Sequence, residues 1–220
     1  MTARVKTARG RTVSSTRWLE RQLSDPYVAR AKRESFRSRA AYKLMEIDER
    51  YRFLGPGQRI ADLGAAPGGW SQFCAKVTGA EKGMGRVLGI DLAEIAPLPG
   101  AEFRVLDFLA PEAPQILKEY LGGSADVVLS DMAANTTGHK KTDHLRIMAL
   151  AEEAAAFACE VLTKGGSFLT KALQGGTERE LLLRLKNEFS FVRHVKPQAS
   201  RADSAELYLL AMGFRGQTRG

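Results

Sequence analysis

No stretch of eighteen or more apolar residues occurs in this 220-residue chain, so no segment reads as a membrane-spanning helix. The N-terminus lacks the apolar core of a secretory signal. Its Arg-rich start weakly resembles a transit peptide, but Glu20, Asp25 and Glu34 interrupt that pattern. A cytoplasmic protein is expected. There are only two cysteines, Cys74 and Cys159, both in apolar stretches of helical spacing, and they read as buried reduced thiols rather than a disulfide framework. The three histidines, His139, His144 and His194, show no zinc-type spacing with each other or with the cysteines, so no metal site is expected. No internal repeat is present, and no low-complexity segment outside the N-terminal arm.

What is present suits one α/β domain with an appendage: 44% hydrophobic and 26% charged residues are globular values, and the length allows a sizeable core. The charge is unevenly placed. Residues 1–39 carry eleven Lys and Arg against three acids, whereas the remaining residues balance 22 against 22. The whole excess of +8 therefore lies in residues 1–39, the N-terminal arm and its junction, as in arms that bind nucleic acid. A solubilising tail is the plainer reading. Residues 1–16 are expected to be disordered. Trp18 and Tyr27 interleave with Arg and Lys, which suits stacking on bases or pinning the arm to the body.

The stretch Ile60-Ala61-Asp62-Leu63-Gly64-Ala65-Ala66-Pro67-Gly68-Gly69-Trp70 organises the rest. Residues 58–63 read as a buried strand, followed by a tight Gly-rich turn and a helix beginning near Trp70. This is the nucleotide-binding corner of an open α/β sheet. The pattern is not G-x-G-x-x-G, and Pro67 removes an amide that would cradle a pyrophosphate. That disfavours a dinucleotide and suits the adenosine-plus-amino-acid shape of S-adenosylmethionine.

Strands are expected at residues 86–90, 102–106, 125–130 and 167–170, alternating with helical segments as in a parallel sheet. Asp91, Asp107 and Asp131 follow the first three of these, and Lys171 follows the last. Ligands of such sheets sit beyond the carboxyl ends of the strands. An acid after the second strand of the sheet can accept both ribose hydroxyls, and one after the third can accept the adenine amino group. A helix from Ser38 carries an apolar stripe, Ala41, Leu44, Met45 and Ile47, with Lys43 among them; spacing alone gives Lys43 no role beyond reaching solvent. Thr142 or Asp143 is expected to cap a long helix that runs to Leu162 and that Gly165-Gly166 ends. A helix follows at 178–188, then an antiparallel closing pair at 191–195 and 207–212 with Glu206 opening the latter.

At these residues the chain resembles the FtsJ/RlmE family, the methyltransferases of the large ribosomal subunit RNA. The likeness covers about residues 35–213. Its carriers are Ser38-Arg39-Ala40-Ala41-Tyr42-Lys43-Leu44, the Asp62–Gln72 stretch, Ser130-Asp131-Met132-Ala133-Ala134-Asn135, Gly165-Gly166-Ser167-Phe168, Lys171 with Gln174-Gly175, and Ser200-Arg201-Ala202. The resemblance implies a Rossmann-like, S-adenosylmethionine-dependent α/β fold: a mostly parallel seven-stranded sheet with an antiparallel last strand and helices on both faces. It implies a domain at 35–214, with the basic arm at 1–34 and a tail at 215–220. It implies a catalytic Lys-Asp-Lys-Glu tetrad at Lys43, Asp131, Lys171 and Glu206, and cofactor contacts at Gly68, Trp70, Asp91, Asp107 and Asp131. The implied substrate is the ribose 2′-OH of the A-loop uridine in 23S ribosomal RNA, within the large subunit. Two positions depart from the family's pattern: Ala134, where it often has Pro, and Ala205, where it often has Arg before the Glu.

The residue types agree with that chemistry. A ribose hydroxyl must lose its proton as it attacks a sulfonium methyl. An ordinary lysine, with a pKa of about 10.4, is mostly protonated at neutral pH, so a lysine base needs its pKa lowered. Lys171 is the candidate base, with Lys43 orienting the hydroxyl and the two acids holding the amines. A methyltransferase acting on a base, protein or small molecule is a competing class. Amino methylation of a base would want Asn/Asp-Pro-Pro-aromatic after the fourth strand, and this chain has Asp131-Met132-Ala133-Ala134. A non-catalytic RNA-binding or ribosome-assembly factor is another alternative; the full tetrad argues against it. A monomer is expected.

Overall fold

The structure is a computed structural model and describes residues 19–20, 22–134, 137–175, 178–201 and 204–216. In chain order its elements are α1 (Pro26–Arg33), α2 (Ala40–Tyr51), β1 (Arg59–Leu63), α3 (Gly69–Thr78), a short 3₁₀ turn (Ala80–Lys82), β2 (Arg86–Asp91), β3 (Glu102–Val105), α4 (Ala113–Leu121), β4 (Ala125–Ser130), α5 (Lys140–Val161), β5 (Leu162–Leu173), α6 (Glu178–Glu188), β6 (Phe189–Val195) and β7 (Glu206–Phe214). They build one seven-stranded sheet, ordered β3-β2-β1-β4-β5-β7-β6. β1 to β5 pair in parallel, and β7 inserts antiparallel between β5 and β6.

Strand alternation sorts the core into two layers. Ala61, Leu63, Leu88, Ile90, Val128 and Phe168 pack with α4, α5 and α6 on one face. Ile60, Val87, Val127, Leu129, Leu169 and Leu210 pack with α2 and α3 on the other. Between β1 and β4 the strand order reverses, and the crevice there opens at the carboxyl ends of the strands.

The expected bounds of α5 and β5 are corrected. α5 begins at Lys140 after His139, three residues before Asp143; Asp143 lies in the first turn and accepts from the Thr137 amide and hydroxyl instead of capping. α5 ends at Val161, within one residue of the expected Leu162, but the glycine pair does not terminate it. Its next residue, Leu162, is already extended and paired with Ala125 of β4, while Val127 pairs with Ser167. The intervening residues bulge out of the sheet, and a side chain on Gly166 would lie 2.9 Å from the Thr163 carbonyl oxygen. β5 therefore runs from 162 to 173, and Lys171 is inside it rather than after it. The pairing with β4 stops at Ser130–Thr170, but antiparallel pairing with β7 carries the strand on to Leu173.

Tyr27 settles against the body. Its ring lies 5.6 Å from that of Tyr42, its hydroxyl donates to Glu46 at 3.0 Å, and Ala31 of the same helix is buried. Trp18 lies outside the described residues. Cys74 is buried and Cys159 half-buried; both are free, and burial pushes both thiols up, Cys159 to about 11.

Candidate active site

Asp131 is the first residue past β4, where β5 and β7 continue alone. In the antiparallel β5–β7 pair, Lys171 stands opposite Tyr208 and Leu173 opposite Glu206. Directly opposed residues share a face, and so do residues two apart on one strand, so Lys171, Tyr208 and Glu206 all point toward α2. Helix α2 presses that face because Leu44 and Ile47 are fully buried against it, and it brings Lys43 along. Lys43 therefore does not reach for solvent: its side chain is 12% exposed and forms an ion pair with Glu206 at 2.8 Å.

The contacts form one chain. Lys171 Nζ lies 2.9 Å from Asp131 Oδ1 and donates to the carbonyl oxygens of Asp131 at 2.7 Å and Met132 at 3.3 Å. The Tyr208 hydroxyl donates to Asp131 Oδ1 at 2.7 Å and accepts from Lys43 Nζ at 3.1 Å. Glu206 Oε1 takes Lys43 on one side and the Ser200 hydroxyl, at 2.8 Å, on the other. The two cations and two anions balance, which lets all four be largely buried together. Burial by itself would raise the Asp131 carboxyl, but Lys171, Lys43 and the hydrogen bonds from Tyr208 and Lys171 outweigh it and hold the group below its ordinary range. Burial and the neighbouring Asp131 and Glu206 charges push the Tyr208 phenol well up, so it stays a hydroxyl donor. Tyr208 is the residue that the sequence reading passed over. Its signal was present: two residues past Glu206 on a strand is the same face.

A cleft of about 580 Å³ opens beside this cluster, lined by Gly64, Ala66, Asp91, Leu92, Asp107, Leu109, Asp131 and Met132 among others. Gly64 has a φ of +71°, and a side chain on it would drive into Met132 at 2.4 Å; the turn requires glycine here. Asp91 Oδ2 accepts from the Ala66 amide and Oδ1 from the Ala93 amide, both at 2.9 Å, and Asp107 Oδ1 accepts from the Leu109 amide at 3.0 Å. These bonds aim the carboxylates and leave each oxygen further lone-pair capacity. Leu92 and Leu109 are 74% and 53% exposed at the cleft wall, an apolar lining for an aromatic ring. The size of the cleft, its carboxylate acceptors and its bare apolar walls fit an adenosyl group, whose ribose and amino groups are donors.

Not every implied cofactor residue faces the cleft. The Trp70 indole is 3% exposed, donates through Nε1 to the Ala40 carbonyl at 2.8 Å and packs 5.7 Å from the Tyr208 ring. Its side chain braces α3 against α2, which leaves only its main chain, in the first turn of α3, to meet a ligand. Gly68 caps α3 with a φ of +100°, and Arg37 crosses so closely that a side chain on Gly68 would lie 2.9 Å from the guanidinium. Arg37 in turn donates to the carbonyls of Ala96 and Pro97, strapping the loop after β2 over the Gly-rich turn.

Asp62, at the end of β1, is 1% exposed and accepts from the Ser71 hydroxyl at 2.6 Å. Burial raises its carboxyl to about 7, against the Ser71 hydrogen bond and helped by Asp131. Among the described residues no cluster of His, Cys, Asp and Glu could hold a metal ion, and no helix is long and apolar enough to cross a membrane.

The FtsJ-like methyltransferase family aligns with residues 36–214. A protein of Xanthobacter autotrophicus named ribosomal RNA large subunit methyltransferase E is 65% identical over 214 residues, covering 97% of this chain and 84% of that one. A protein of the same name from Afipia carboxidovorans is 62% identical, covering 96% of this chain and 94% of that one. A solved Plasmodium falciparum structure, described as a ribosomal RNA methyltransferase, superposes with a TM-score of 0.73 at 31% identity, covering 83% of this chain and 100% of that one.

Proposed function

The chain belongs to the FtsJ-like methyltransferase family, and from that premise we propose that it moves the methyl group of S-adenosylmethionine to a ribose 2′-OH of large-subunit ribosomal RNA. The observation that carries the reading is the Lys43-Tyr208-Asp131-Lys171 chain at the mouth of an acid-lined cleft, with Asp131 common to both. When bound, S-adenosylmethionine supplies a methyl carbon activated by a sulfonium. Asp91 receives its ribose hydroxyls and Asp107 its adenine edge; Gly68 and the main chain of Trp70 hold the amino-acid end.

Lys43 Nζ, fixed by Glu206 and Tyr208, orients the substrate hydroxyl. As the neutral amine, Lys171 Nζ takes the hydroxyl proton, and Asp131 stabilises the ammonium that forms. Positioning is a large part of the rate: well-oriented groups reach effective molarities on the order of 10⁵–10⁸ M. A second reading has one observation in its favour. Lys171 Nζ already donates to three oxygens, the full donor count of an ammonium, so it could serve as a fixed cation while the proton leaves elsewhere.

The A-loop uridine of 23S ribosomal RNA, in the assembled large subunit, is the proposed target, and the cytoplasm the proposed compartment. The arm, with its excess of positive charge, contacts RNA. Because Tyr27 and Ala31 pack on the body, the informative truncation removes residues 1–18 rather than 1–34. It should leave cofactor affinity intact and weaken and flatten salt-dependent RNA binding.

Labelled S-adenosylmethionine, ribosomal subunits and nucleoside analysis test the proposal. A 2′-O-methylated nucleoside from the large subunit is expected. Methyl on a base would reassign the enzyme, and normal subunit binding with no methyl transfer would mark an assembly factor.

A further inference from the structure

We propose that Arg39 and Arg201 form a clamp for a backbone phosphate of the RNA substrate, and that the Asp25 carboxylate occupies this clamp in the free protein. The inference rests on the reading of RNA as substrate.

Both guanidinium groups converge on Asp25. Arg39 Nη1 pairs with Asp25 Oδ2, and Arg201 Nη2 lies 3.6 Å from the same oxygen. Arg39 Nη2 donates to the carbonyl of Ala199. One carboxylate thus faces two arginines and leaves a unit of positive charge over. The arrangement is also incompletely satisfied. Arg39 Nε is buried with no hydrogen-bond partner, and the Arg201 contact is longer than a hydrogen bond. A phosphodiester carries the same single charge and presents two free oxygens that arginine forks bind side by side.

The location suits a strand of RNA. Arg39 immediately precedes α2 and stands four residues before Lys43, so the two lie on neighbouring turns of one face, with Cβ atoms about 6 Å apart. Ser200, next to Arg201, donates to Glu206. The clamp therefore flanks the Lys43–Glu206 end of the cluster, away from the cofactor cleft. A phosphate held there fixes the register of the strand while Lys43 meets the ribose, since phosphate contacts position a nucleic acid without reading its sequence.

α1 has contacts to the body besides those of Asp25. Tyr27, Ala31 and Phe36 pack in an apolar cluster with Tyr42 and Ala199, and the Tyr27 hydroxyl bonds to Glu46, contacts that do not involve Asp25. The carboxylate caps α1 at the Tyr27 amide, 3.0 Å away, and sits where the basic arm meets the body. A phosphate that displaces Asp25 also removes an acid near the arm's root from competition with RNA.

The test uses the full chain with Arg201→Gln and Asp25→Asn, a large-subunit RNA fragment over a salt series, and single-turnover methylation. Arg201→Gln should weaken RNA binding about tenfold and lower the log-log salt slope by about 0.7–0.9, one phosphate. Its cofactor affinity and its rate at saturating RNA should match the unaltered protein, a split that a general loss of structure would not produce. Asp25→Asn should bind RNA several-fold more tightly. Thermal melts check both folds; if Asp25→Asn is unstable, Arg201→Gln decides, because its side chain is 35% exposed and has room to change. A folded Arg201→Gln with unchanged affinity and slope overturns the clamp, as does a folded Asp25→Asn that binds more weakly. If the unaltered protein methylates RNA and the variants are indifferent, the clamp alone fails; if it binds no ribosomal RNA, the functional reading fails with it.

Discussion

Asp91 and Asp131 both stand at the ends of parallel strands, yet they are held in opposite ways. Asp91 takes its bonds from backbone amides, one of them only two residues along the chain. Asp107 likewise uses the amide two residues on. Asp131 is held by side chains 40 and 77 residues away, Lys171 and Tyr208. The cleft is thus a product of local turns, open to solvent and waiting for donors. The cluster is a closed network in which every charged group already has a partner. Loss of one cleft contact should therefore be graded and confined to ligand affinity. Loss of one cluster member strands the charge of another, and the penalty falls on the chemical step.

The largest effect should come from Lys171. With Lys171→Ala, methyl transfer should fall by at least about 10²–10⁴-fold, while calorimetry shows nearly unchanged cofactor affinity. Lys171→Arg sharpens this, because arginine keeps the charge but is no base near neutral pH. Single-turnover rates within a few-fold of the unaltered enzyme would assign proton removal elsewhere. Next is Asp91→Ala, which should weaken S-adenosylmethionine binding about ten- to a hundredfold, with the rate at saturation preserved. A fall in saturated rate instead would erase the distinction between the two regions.

Tyr208→Phe removes only the hydroxyl that joins the two ion pairs. Since Lys171 keeps Asp131 and Lys43 keeps Glu206, the saturated rate should drop about three- to tenfold, the worth of one hydrogen bond to a charged group or less. A loss as large as that of Lys171→Ala would mean the two pairs work only as one network.

The last effect concerns stability and leaves the rate at its pH optimum aside. The Asp62 carboxyl is raised to about 7 in the folded protein, against about 3.9 when unfolded. Between those values the folded chain keeps a proton that the unfolded chain has lost, so stability declines as pH rises from about 4 to about 7 and this contribution is flat above. Asp62→Asn should remove that decline, read as a flatter plot of melting temperature against pH. An unchanged slope would place the titration on another group.

How much of this was legible follows from the same contrast. The run around Gly64 and the acids at the ends of β2 and β3 could be read directly, because a strand end, a turn and a local amide lie within a few residues of each other. The glycine pair after α5 misled, since Gly165 and Gly166 serve a sheet bulge that depends on the pairing with β4. The spacing around Lys43, taken alone, misled for a related reason. A lysine in an apolar helical stripe ordinarily reaches water, and only the partner strand shows that Glu206 and Tyr208 await it.

By itself the sequence determined the alternation of strands and helices, the placement of the charge excess and the chemistry of the Gly-rich turn, all of which depend on near neighbours in the chain. It also carried the family motifs that mark the four ionisable residues. The tertiary structure alone decided that Tyr208 joins them into one network, that the Trp70 side chain is a brace, and that Asp25 sits between Arg39 and Arg201. Those outcomes depend on which faces meet when α2 closes over the β5–β7 pair. That is a matter of sheet order and register, set by the burial of residues far apart in the chain rather than by any one segment's pattern.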